Sequence, residues 1–480
     1  MALTWHVDVD WNNDGTLEAD EAARLLGVNL TRGREHLLNA NGNGFEPTRA
    51  GECTLTLDSY DRRYDPFYSS SALYPNVKPG RDVRVRVNDG TTTYTIFRGA
   101  IDSIEPQGTS RNVKIKIKDG WAWLANANVR YATQANVRTD TAIGYILTAA
   151  NYPTVWSSSL QAGSDTIPYW WASDERADTA LRDLADSEFG LFYVAADGKA
   201  TFKNRASAYN ATADVTLDQT TALQDFGAPR PWETLRNIVR VALAPQTNTV
   251  IGATLWKLNE KPLLKYNSTV TFWANLKYQT FPAILTGDAS YAYSVSMNTN
   301  QDGTGTTIVP TVTLTPYGTM AKIVVSNLDG SAKDAYLTAL LVTGDAIYVP
   351  DETTVEYDNS SGSEYGTRVF QLKLRWQQVT TRAVDFAKYI ATFLGSSRLQ
   401  PVLKMENRWS TQFAYDLGAV VSFTSAYWGV ANLYRIIGIE HASGDTVQEM
   451  RTTWRLAPMD ETVYWKIGTS KIGSETIVAY

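Results

Sequence analysis

Between residues 53 and 99 the hydrophobic period is two, and it is interrupted every few residues. That pattern limits what this chain can fold into more than any other feature. Cys53, Leu55 and Leu57 alternate with Thr54, Thr56 and Asp58, which predicts a strand with one buried face. An excursion rich in Asp, Tyr, Ser and Pro follows and ends at Lys78-Pro79-Gly80. Val83, Val85 and Val87 then alternate with Arg84 and Arg86. Asp89-Gly90 is a two-residue hairpin signal, residues 94–97 form the return strand, and Gly99 precedes a third strand over residues 100–104. No long helix fits such a stretch.

The same texture fills much of the chain. Residues 5–11, 113–117, 191–195, 200–204, 232–241, 417–421, 434–440 and 452–458 read as strands. The sequence predicts a mainly β protein with a few helices, an α+β chain of several domains, since 480 residues exceed one ordinary core. Three helices are expected. Residues 139–150 are capped by Thr139 or Asp140. Residues 173–189 are capped by Ser173 and stopped by Gly190. Residues 380–394 carry Ala383, Phe386, Ala387, Ile390 and Leu394 on one side. Residues 25–38 are ambiguous, with Arg32-Gly33-Arg34 expected to begin a strand.

Several function classes have little support. The net charge is −6 and there is no long basic run, which argues against a phosphate-neutralising face for nonspecific DNA binding. Lys114, Lys116 and Lys118 read as a solvated strand face. Cys53 is the one cysteine and is expected to be a small buried apolar residue. His6, His36 and His441 share no metal-ligand spacing. No run of eighteen apolar residues predicts a membrane span, and no secretory signal is visible. Nucleophile-elbow, Walker and zinc-protease motifs are absent, so the expectation is a protein that is not an enzyme.

One motif points to a ligand. Asp10, Asn12, Asp14, Gly15, Thr16, Glu18 and Glu21 match the calcium loop of an EF-hand. Asp10, Asn12, Asp14, the Thr16 carbonyl, Glu18 and a bidentate Glu21 would supply oxygens to a structural Ca2+. A strand precedes the loop where an EF-hand has a helix, so the other reading is a solvated acidic turn.

From about residue 258 the texture becomes Thr-rich. Strands expected at 270–273, 292–297, 311–314, 321–326 and 336–342 suggest a β-sandwich. Trp256, Trp273, Tyr278, Tyr291 and Tyr293 would offer a sugar-stacking face, against the preferred reading of core aromatics.

The order "strand, Leu57-Asp58, Arg63-Tyr64-Asp65-Pro66, Tyr74-Pro75-Asn76, Lys78-Pro79-Gly80-Arg81, Val-rich strand, Asp-Gly turn, Phe97-Arg98-Gly99" resembles the tail hub, or baseplate hub, proteins of long-tailed bacteriophages, often called minor tail proteins. The helix–Gly–strand–Asp-Gly series ending at Arg205 and the Tyr365-Gly366-x-Arg368 step resemble them too. The resemblance implies β-barrel-like hub modules at 1–125 and 351–460, an α+β module at 126–257, a sandwich inserted at 258–350, and a tail at 461–480 that lies at an interface. It implies a virion protein of the tail tip, assembled in the host cytoplasm. Its expected partners are two further copies in a homotrimer, the distal tail protein, the tape measure protein, central fibre or tip proteins, and, as an alternative, a host-surface glycan. DNA would meet it only in passage through the lumen. The rival readings are a carbohydrate-binding adhesin and a cell-wall glycosidase.

Overall fold

A computed structural model describes residues 2–459 except 18, 109, 209–211, 220–224, 228–231, 247, 286–290, 360–364, 397 and 428. The expected tail at 461–480 lies outside these residues.

The alternating runs do become strands, and they join in one sheet of thirteen. Residues Arg49–Asp58, Asn112–Lys118, Thr93–Gln107, Asp82–Asn88 and Thr4–Val9 follow one another across it. The inward residues Val7, Cys53, Leu55, Leu57, Val83, Val85, Ile115 and Ile117 share one core. On the far side of Leu25–Gly33 the same sheet continues into Val430–Ser443, Met450–Pro458 and Val402–Glu406. The mainly β, multidomain fold expected from the sequence is what the structure shows. No ring of strands closes among the described residues, and the early and late parts of the chain share a sheet.

Glycine makes the seam possible. Gly33 pairs with Gly438 across it. A Cβ on Gly33 would meet the Ile437 carbonyl at 2.2 Å, and one on Gly438 would meet the Arg34 carbonyl at 2.3 Å. Gly33 also has φ +88°, a conformation that side chains disfavour. The expectation that Arg32-Gly33-Arg34 begins a strand is corrected, because these residues lie at or beyond the end of Leu25–Gly33.

Helix α1 (Gly120–Asn126) was not expected. Asp119 caps it by accepting from the Trp121 amide at 3.0 Å. Helix α2 (Thr139–Ala149) lies where the apolar spacing predicts it. Helix α3 (Ala177–Glu188) begins four residues later than expected. Ser173, Asp174 and Glu175 do not cap it, because they belong to Thr166–Arg176, which pairs with Asn128–Arg138. That pairing buries Trp170, Trp171 and Ala172, and a bulge with Asp174 at φ 64° turns the chain into the helix. Phe189, at φ 59°, ends α3 one residue before the expected Gly190. Helix α4 (Thr380–Leu394) has the expected ends and buries all five predicted apolar residues.

Ile238–Leu243 lies between Thr353–Asp358 and Val369–Leu374, with α4 packed across it. Leu243 pairs with Thr353, so the chain leaves and returns at one point. Between them sits the inserted sandwich, a six-stranded sheet facing a three-stranded one over a core that includes Leu255, Met297, Ile323, Leu337 and Val342. It packs on the Thr166–Arg176 ribbon, where Gly318 approaches Trp171 so closely that a Cβ would sit 1.7 Å from the ring.

Candidate functional site

The acidic loop and the Asp/Tyr/Ser excursion meet at one carboxylate. Asp10, at the end of the first strand, accepts backbone N–H bonds from Asn13 at 2.6 Å, Asp14 at 3.2 Å and Gly15 at 2.8 Å. Asp14 accepts from the Thr16 amide at 2.8 Å and from the Asn12 side-chain amide at 3.1 Å. The fold thus gathers Asp10, Asn12, Asp14 and Thr16 in one turn. Glu18 lies outside the described residues.

Glu21 points elsewhere. Its carboxylate accepts from Trp11 Nε1 at 3.0 Å, Arg63 Nη2 at 2.9 Å, Arg63 Nε at 3.2 Å and the Tyr64 hydroxyl at 2.6 Å. Burial pushes its pKa up, but the Arg63 and Tyr64 bonds outweigh that and hold it below the ordinary carboxylate value. Burial and the Glu21 charge together push the Tyr64 phenol up. In this arrangement Glu21 is thus hydrogen-bonded to Trp11, Arg63 and Tyr64. A cation in the turn would draw on Asp10, Asn12, Asp14 and the Thr16 carbonyl, or would compete with Arg63 for Glu21. Among the described residues, no group of three or more His, Cys, Asp or Glu could hold a metal. His6 pairs with Asp20 at 2.8 Å, and buried His441 shares a hydrogen bond with Thr452.

From this anchor the excursion runs as successive turns. The amides of Arg62, Asp65, Tyr68, Ser71 and Tyr74 each donate to the carbonyl three residues before. The guanidinium of Arg24 grips Asp61 through two bonds at 2.9 and 2.8 Å. The result is a fixed loop that holds Tyr60, Phe67 and Tyr74 out in solvent, Phe67 at 89% exposure. Sequence reasoning missed Arg63 and Tyr64 as partners of Glu21. The Arg-Tyr pair is legible, but the forty-two-residue separation from Glu21 is not.

A second polar knot joins the seam. Arg32 is almost fully buried and pairs with Asp416, whose carboxylate also accepts from the amides of Ala196 at 2.7 Å and Leu417 at 2.6 Å. Burial lowers the Arg32 pKa to about 10. The expected lysine face is largely neutralised: Lys116 pairs with Glu105 at 2.6 Å and Lys118 with Asp102 at 3.1 Å.

The five aromatics of the sandwich do not form one platform. Trp256, Tyr278 and Tyr291 pack against the core. Trp273 belongs to the smaller sheet, beneath the Arg130 guanidinium at 4.5 Å. Tyr293 lies in the larger sheet and donates to the Val312 carbonyl at 3.3 Å.

A cavity of about 180 Å3 opens where the seam, the end of α3 and helix α4 converge. Phe45, Phe189, Tyr389 and Phe393 line it with Arg34, Asp186 and Arg435. Burial lowers the pKa of both arginines.

No protein-family model and no curated protein matches the sequence. Among solved structures the chain is similar to the tail protein from Neisseria meningitidis MC58, at 9% identity and a TM-score of 0.52, covering 96% of this chain and 98% of that one. It is similar to the 43 kDa tail protein of prophage MuSo2 from Shewanella oneidensis at 10% identity and a TM-score of 0.52, covering 96% and 100%. At these identities the likeness is one of fold, and it runs nearly end to end. The resemblance to phage tail proteins read from residues 53–99 holds at that level.

Proposed function

We propose that this chain is a structural component of a phage tail and, more narrowly, a hub protein at the tail tip. The end-to-end likeness of fold to two tail proteins carries the reading. In the narrower form, three copies make a ring that closes the tail tube. The ring joins the distal tail protein and tape measure protein on one side to fibre or tip proteins on the other.

Two features of the fold suit such a role. One sheet ties Thr4–Val9 and Leu25–Gly33 to Val430–Ser443 and Met450–Pro458, so load applied at one of these parts passes through backbone hydrogen bonds to the other. The excursion presents Tyr60, Phe67 and Tyr74 on a frame fixed by Glu21 and Arg24, and aromatics held in place lose little entropy on burial against a partner. The reading requires no catalysis. Calcium in the Asp10 turn would be a structural addition to it.

The adhesin reading is weaker because the sandwich aromatics are divided between its core and two sheets. The test is co-expression with the adjacent tail proteins, followed by electron microscopy. A threefold ring at the tail tip is expected. A protein that stays monomeric beside its distal tail partner, or binds a glycan array without assembling, overturns the hub reading.

A further inference from the structure

A groove of about 630 Å3 lies between helix α1, the turn after α2 and the strands Arg49–Asp58 and Thr93–Gln107. That volume falls within the roughly 300–1,000 Å3 usual for small-molecule sites. Ala50, Ala100, Ala122 and Ala150 line it, so four parts of the chain contribute only a methyl group each.

Trp123 also lines the groove. Residues two apart on a helix point about 200° apart, so with Trp121 turned into the core Trp123 faces outward. Its ring is 42% exposed and yet fixed. The indole Nε1 donates to the Ala150 carbonyl at 2.9 Å, and Trp156 meets the ring at 80° with centroids 6.4 Å apart. Trp156 is anchored in turn by its own Nε1, which donates to Asp82 at 2.9 Å. A large apolar face is thus held at the groove with little rotamer freedom left to lose on binding.

The polar groups around that face keep bonding capacity unspent. Glu52 is exposed and forms no ion pair among the described residues. Asn126 gives its side-chain N–H to the Ala122 carbonyl at 2.9 Å, and its Oδ1 accepts nothing among the described residues. The exposed Asn151 side chain makes no hydrogen bond among them either. Asp102 and Lys118 pair at 3.1 Å, both partly exposed, and each has further bonds to give.

We propose that this groove binds a short neutral oligosaccharide of β-linked pyranoses whose ring substituents are equatorial. Such a ring has a flat face of C–H bonds, which stacks on Trp123. Its hydroxyls both donate and accept, and the rim of carboxylate, amide and ammonium answers them in both senses. A phosphate or other anion would meet two exposed carboxylates against one ammonium. A basic peptide would have to displace Lys118 from Asp102 or face it as a like charge. The inference goes beyond the tail reading and holds whether or not the chain assembles, so the failure of either leaves the other standing.

The test is saturation-transfer difference NMR on the full-length protein with cellotriose and chitotriose at millimolar concentration, followed by titration. Transfer to the axial ring protons of at least one of the two sugars is expected. Trp123→Ala should weaken its binding by about tenfold or more, as truncation of an aromatic anchor does. That variant also uncovers Trp156, so Glu52→Gln serves beside it. It breaks no ion pair of the described fold and should weaken binding about fivefold, because a charged acceptor becomes a neutral one. No transfer to either sugar, or binding indifferent to both substitutions, overturns the proposal. A loss confined to Trp123→Ala overturns the part given to Glu52. Transfer to tetralysine that disappears in Trp123→Ala, with none to the sugars, overturns the proposal in favour of a basic peptide.

Discussion

Replacing Glu21 by alanine is the most informative single perturbation, because it separates two roles for one carboxylate. Glu21 takes hydrogen bonds from Trp11, Arg63 and Tyr64. Tyr64 is wholly buried, and the Trp11 indole is nearly so. Removing the acceptor strands both donors, at about 1–3 kcal/mol each. The Arg63 side chain is 24% exposed and can turn to water, so its share is about 0–1 kcal/mol. The sum is roughly 2–7 kcal/mol, drawn from these two principles. In a chain of several cores this cost appears first as local opening of residues 59–76, not as a shift of one melting temperature. At about 1.4 kcal/mol per decade, amide protection in the excursion should fall by roughly 30-fold or more. Hydrogen exchange read by mass spectrometry in EDTA measures it. The pH dependence has a definite sign. The folded carboxyl lies below its ordinary value of 4.5, so the knot's stability is present above that value and fades as pH falls through the folded pKa. In acid, the protection of wild type should approach that of the variant, after correction for intrinsic exchange. If Glu21→Ala leaves the excursion unchanged in EDTA and loosens it only when calcium is present, the knot argument is wrong and Glu21 is a metal ligand.

Further outcomes follow from the same geometry. Calorimetry should decide the calcium proposal: heat of binding at millimolar calcium that disappears in Asp10→Asn supports a site in the Asp10 turn, and no heat in wild type removes it. Replacing residues 245–351 by a short Gly/Ser linker should leave cooperative unfolding intact, since Leu243 and Thr353 are already paired, although Trp171 loses its cover by Gly318 and stability falls; loss of cooperative unfolding would show the sandwich to be integral. Cys53 is 1% exposed and burial raises its thiol pKa, so a thiol reagent at pH 8 should label it only after unfolding. Truncation after Met459 should leave each subunit folded while weakening attachment of the next tail component, and complete infectious tails built from the truncated chain would refute that.

Local chemistry made much of this chain legible. The period-two runs named Val83–Val87 and Val113–Ile117 as half-buried strands, because a strand with one face in a core can bury only every second residue. Helix α4 was readable to its ends from one apolar face, and Leu258 onward changed texture close to where the sandwich begins. The acidic turn was legible as a turn, since Asp10, Asp14 and Gly15 act over a few residues. Contacts decided the rest. Whether Ser173 caps a helix or extends a strand depends on Arg130, its partner across the sheet, and strand pairing won because it buries Trp170 and Trp171. Glu21 fits a calcium loop by spacing, yet Arg63 and Tyr64 reach it from another segment, and spacing carries no record of them. The seam through Gly33 and Gly438 joins residues separated by most of the chain. A repeat of two or of 3.6 fixes which face of an element is buried, but only the folded arrangement chooses the partner that buries it.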